Sequence, residues 1–133
     1  MLIYAPISAG ELIDKITILE IKARRIRDAS GRGNVLRELR ALQDARLQLP
    51  AGERLDAYCA ALSAVNEALW ELEDAVRRHE RQREFSGVFV ELARTICRRN
   101  DERAALKRAL NELVGSTLVE EKVYDDAVHG HEQ

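Results

Sequence analysis

Leu55, Leu62, Leu69 and Val76 stand seven residues apart, interleaved with Tyr58, Val65, Leu72 and His79, and no other pattern in this chain limits its fold so closely. A heptad repeat keeps one seam turned toward a partner helix over many turns, which predicts a helix from about Glu53 to about Arg83. Ala61, Ala68 and Ala75 flank the seam and allow a neighbour to approach closely. A helix with one apolar seam needs other helices to cover it, so the chain reads as an all-α antiparallel bundle.

Three further segments supply those partners. Ser8-Ala9-Gly10-Glu11 has the form of a capping box, in which the Ser8 hydroxyl and the Glu11 carboxylate each satisfy the other's backbone amide. From there Leu12, Ile16, Leu19, Ala23 and Ile26 make one stripe, widened by Ile13, Ile18 and Ile21, and this first helix is expected at the centre of the bundle. Ser30-Gly31-Arg32-Gly33-Asn34 reads as a turn with Asn34 as the next N-cap. A second helix is then predicted from about Val35 to Leu49, ended by Pro50-Ala51-Gly52. After Glu84-Phe85-Ser86-Gly87, Ser86 can cap a fourth helix that runs to Val114 and stops at Gly115. The flanks Leu2-Ile3-Tyr4-Ala5 and Leu118 to Tyr124 read as extended segments able to form a minimal strand pair. The expected organisation is one helical domain over residues 1–124 with a mobile polar tail, 125–133.

Composition excludes several classes. With 133 residues the chain can bury a core without metal or disulfide support, and its net charge of -2 gives no general reason to expect nucleic acid. No apolar run approaches the length of a membrane span, and MLIYAPIS lacks a basic n-region, so a cytoplasmic protein is expected. Cys59 and Cys97 read as small buried hydrophobes. His129-Gly130-His131-Glu132 lacks the ligand spacing of a structural zinc site, and no cofactor motif or nucleophile fingerprint occurs.

Candidate chemistry therefore rests on polar residues beside the apolar seams. In the fourth helix Phe89, Leu92, Ile96, Leu106, Leu110 and Leu113 recur at helical spacing, yet the stripe is broken at Arg99 and Arg103. Guanidinium groups are costly to bury unless paired, so carboxylates or amides from other helices should meet them. The candidates are Asp14 and Lys15 on the first helix, Asn66, Glu67 and Glu73 on the third, and Arg99, Asn100 and Arg103 on the fourth. Arg103 is expected to be at least half buried against Asp14, Glu67 or Glu73. Such a set serves either as a structural network that fixes helix register or as a receptor for an anion.

The segments GELIDKITILEIK (Gly10 to Lys22), LWELEDAVR (Leu69 to Arg77), FVELARTICRRNDERAALKRALNELVGS (Phe89 to Ser116) and VEEKVY (Val119 to Tyr124) resemble those of a bacterial family classified only as a domain of unknown function. That resemblance implies a stand-alone helical protein and no established activity, catalytic residue or cofactor. The residues point first to a non-catalytic helical interaction module that self-associates as a dimer. The alternative is an anionic small-molecule site, in the manner of a chorismate-mutase-like all-helical enzyme, lined by Arg99, Arg103 and Lys15.

Overall fold

The computed structural model describes residues 1–116 and 120–124, and four helices account for most of them: α1 (Ala9–Arg25), α2 (Ala29–Arg46), α3 (Glu53–Gln82) and α4 (Gly87–Val114). No strand occurs among the described residues. Met1, Leu2, Ile3 and Tyr4 are exposed and irregular instead of paired, while Leu118, Val119 and the polar tail lie outside the described residues.

α1 is the shortest helix and the best buried, and every other helix packs on it. Ile13, Ile16 and Ile21 are sealed from solvent, with Leu62 of α3 and Leu110 of α4 equally enclosed. Each such side chain contributes about 2 kcal/mol through removal of its apolar surface from water. Leu12 and Leu19 extend this core toward Val35 and Leu39 of α2 and Leu55 of α3. The wide apolar face of α1 is thus shared among three neighbours, which explains why it exceeds the stripe that one partner needs.

The Ser30–Asn34 turn does not form; these residues belong to the first turns of α2. Asp28 supplies the cap, its Oδ2 accepting from the Gly31 amide at 2.6 Å, and Arg32 Nε donates to the Ala23 carbonyl at 3.1 Å. Gly31 makes space here and does not provide a left-handed turn: a Cβ at that position would lie 2.9 Å from Ile26 Cδ1. The reversal between α1 and α2 is therefore confined to residues 26–28, and α2 folds back along α1.

The heptad of α3 pairs with α4 in an antiparallel hairpin, and Gly115 ends α4 at φ 68°, a conformation that favours glycine. Ser86 occupies the N-cap position of α4 without a side-chain cap bond. Cys97 is exposed and Cys59 is half-buried, correcting the expectation that both are buried.

The hairpin is much longer than the helix it packs on. At about 1.5 Å per residue, the 30 residues of α3 span about 45 Å against about 25 Å for the 17 residues of α1. α1 and α2 cover only the end of the hairpin that holds Leu55 to Leu69 and Lys107 to Asn111. From Trp70 through the turn to Leu106 no residue is fully buried, and α1 touches this stretch at its base, through Arg25 at Trp70 and Glu71 and through Asp14 at Arg103. Phe89 packs edge-on to Phe85, with ring centroids 5.2 Å apart, and stands 6.3 Å from His79.

Candidate functional site

The covered end of the hairpin is where polar groups from α1, α3 and α4 converge. Asp14 faces inward on α1 with only 1% of its side chain exposed. Arg103 of α4 meets it with a two-pronged bond: Nε donates to Oδ1 at 2.8 Å and Nη2 to Oδ2 at 2.5 Å. Asn66 of α3 completes the ring, its Nδ2 donating to Asp14 Oδ1 at 2.9 Å and to Thr17 Oγ1 at 2.8 Å. Thr17 in turn donates to the Asp14 carbonyl at 2.8 Å. Burial alone would push the Asp14 carboxyl up, but the Arg103 and Asn66 hydrogen bonds and the charges of Arg103 and Lys107 outweigh it and hold the group below its ordinary value.

One helical turn further along α4, Lys107 is almost fully enclosed. Its ammonium lies 2.8 Å from Glu11, 4.0 Å from Asp14 and 2.5 Å from Glu120. Desolvation disfavours the charged lysine, yet Glu11 and Glu120 more than offset it, so its pKa is raised. Glu120 is held down to about 2 by hydrogen bonds from Lys107 and from Lys122, the latter at 2.7 Å. Glu11 therefore spends its carboxylate on Lys107, where the capping box expected it to return to Ser8. Only the Ser8 half of that box forms, Oγ accepting from the Glu11 amide at 3.2 Å.

The approach of α1 to α4 depends on Gly10. A Cβ there would stand 2.9 Å from the Lys107 Cα, too close for two backbones that must both stay in place. With no side chain in the way, the Gly10 amide donates to Asn111 Oδ1 at 2.7 Å, so α4 supplies the acceptor for a free amide in the first turn of α1.

Of the eight residues singled out from sequence, the structure brings Asp14, Asn66 and Arg103 together and sets Asn100 beside them. Among Asp14, Glu67 and Glu73 it is Asp14 that receives Arg103. Lys15 is exposed, contrary to the expectation of partial burial, because it lies on the outer face of α1. Glu73 is also exposed and pairs with no described residue. Arg99 pairs with Glu102 one turn along its own helix, at 3.1 Å. Glu67 joins a separate surface cluster, taking Arg24 at 2.9 Å and Arg25 at 2.5 Å, while Arg25 also pairs with Glu71 and lies over the Trp70 ring. The sequence reading missed Glu11, Lys107, Asn111 and Glu120. The signal for two of them was present: Asn100, Arg103, Lys107 and Asn111 follow at helical spacing and form one polar stripe down α4.

Beside this network lies a cleft of about 190 Å³ walled by Glu11, Asn100, Arg103, Ala104, Lys107, Glu120 and Lys122. Arg99 and Lys15 take no part in it. Every buried side-chain nitrogen and oxygen among the described residues has a hydrogen-bond partner, as a self-sufficient polar network requires.

The fold and this network define an all-helical protein with a buried ionic lock between its central helix and its long hairpin. The chain belongs to a family of unknown function (DUF6165), whose model matches residues 3–131. No curated protein and no solved structure matches it.

Proposed function

We propose that the protein is a non-catalytic helical interaction module that self-associates through the projecting half of the α3–α4 hairpin. The observation that carries this reading is the stretch from Leu72 to Glu102, where an apolar seam runs between two helices and no side chain reaches full burial. Two helices cannot enclose a seam; four can, and a second hairpin is the simplest way to supply the other two. At the tip Phe85, Val88 and Val90 are all at least half exposed.

Charge favours a second copy as the occupant. The base of the α3 arm carries Glu73 and Asp74, whereas its tip carries Arg77, Arg78, Arg81 and Arg83 against Glu80 and Glu84. Antiparallel arms set the acidic base of one copy beside the basic tip of the other, and a two-fold axis repeats the match. The pairing of Asp14 with Arg103 and of Lys107 with Glu11 and Glu120 supports the same reading, because it gives those groups a structural duty without any reaction.

The test is the mass in solution. Light scattering at tens of micromolar should give about twice the 15.1 kDa of the chain, and Arg77→Glu/Arg78→Glu/Arg81→Glu, all at exposed positions, should return it to the monomer with unchanged helicity. A wild-type mass of one chain would end the proposal.

A further inference from the structure

The cleft beside the lock holds a feature that self-association does not use. Its walls carry three cations, Arg103, Lys107 and Lys122, and two carboxylates, Glu11 and Glu120. Arg103 spends Nε and Nη2 on Asp14, so its Nη1 donors are given to no described residue. Asn100, on the same face of α4, makes no side-chain hydrogen bond to a described residue, although it lines the cleft. Opposite them, the Glu120 carboxylate sits between the Lys107 and Lys122 ammonium groups at 2.5 and 2.7 Å. Glu120 comes from beyond the end of α4 and belongs to none of the four helices.

We propose that this cleft binds a small dicarboxylate and that the Glu120 carboxylate is an internal occupant of one of its two anion positions. One ligand carboxylate takes the place of Glu120 on Lys107, and the other uses the open edge of Arg103 and the Asn100 amide, a pairing suited to the planar fork of a guanidinium. One carboxylate thus replaces another on Lys107, and the second adds a negative charge that the open edge of Arg103 meets. Size agrees: 190 Å³ equals the liquid volume of about six waters, room for a four-carbon skeleton with two carboxylates. Because the internal carboxylate is tethered and always present, the ligand binds only by displacing it, which makes the C-terminal segment a competitor for the site.

Succinate is the probe, titrated calorimetrically at pH 7 into the full chain, with sodium chloride at matched ionic strength and inorganic phosphate as controls. Saturable binding of succinate by the wild type is expected. Glu120→Gln, which keeps the shape and removes the competing charge, should bind about tenfold more tightly. Asn100→Ala, which breaks no hydrogen bond to a described residue, should bind at least several-fold more weakly while its melting temperature without ligand stays that of the wild type. No succinate binding by either the wild type or Glu120→Gln would overturn the site. Equal affinity in the wild type and Glu120→Gln would overturn the role of Glu120. Equal heats from chloride, or equal affinity for phosphate, would overturn the dicarboxylate assignment. Self-association is read separately by light scattering, so failure of one proposal does not imply failure of the other.

Discussion

Removing Arg103 tests the central lock directly. Arg103→Ala deletes both prongs of the bond to Asp14 and leaves that carboxylate buried with the Asn66 amide and, 4.0 Å away, the Lys107 ammonium. Breaking a buried pair by removing one partner costs about 3–5 kcal/mol. Because 30% of the Arg103 side chain remains exposed, water reaches the vacated position and the lower end applies, about 3 kcal/mol. For a domain of this size that lowers the melting temperature by about 10 °C. Arg103→Leu restores packing volume but not the charge, so it should cost nearly as much. Asp14→Leu/Arg103→Met removes both charges together and should cost only about 1 kcal/mol, mainly because Asn66 loses one of its two acceptors. Urea unfolding followed by far-ultraviolet circular dichroism gives all three values. A loss below about 1 kcal/mol for Arg103→Ala, or a double variant as unstable as the sum of its single variants, would refute the view that pairing of a buried charge is what this contact provides.

Stability should also follow pH with a definite sign. Asp14 is held below its ordinary 3.8 and Glu120 is pulled from 4.5 to about 2, so their contributions are present above those ordinary values and are lost as pH falls through the folded-state values; melting temperature should be flat near neutrality and fall below about pH 4. In Arg103→Ala burial dominates Asp14 and raises its pKa, so the gap to the wild type should narrow on acidification, measured by thermal melts from pH 7 to 3. Gly10→Ala forces α1 away from the Lys107 backbone and should cost at least about 2 kcal/mol in urea unfolding, whereas an alanine at an ordinary helical position is neutral or stabilising. Asp28→Ala removes the cap of α2 and should cost about 1 kcal/mol by the same assay.

Much of the fold was legible because local periodicity carries it. The α3 heptad and the Gly115 stop can be read without knowing what they pack on, since the 3.6-residue turn alone decides which side chains share a face. The start of α2 was not legible, because Ser30-Gly31-Arg32-Gly33-Asn34 has the composition of a turn and only the packing of Ile26 shows why Gly31 sits in a helix. In the candidate site, the break at Arg103 signalled a buried partner, and Asp14 was among its possible carboxylates. Choosing among them required the docking of α1 on the hairpin, which brings Asp14 to both Asn66 and Arg103. Glu11 looked like half of a capping box because sequence shows only local partners; the Lys107 ammonium, distant in the chain, is the stronger competitor for its charge. Helix type, the apolar faces and most helix limits, the start of α2 excepted, were thus determined by the sequence itself, through interactions within one or two turns. Which charges meet, which glycine permits the meeting, and how far the hairpin extends past its cover were decided by tertiary structure, because they depend on the angle and register at which whole helices dock.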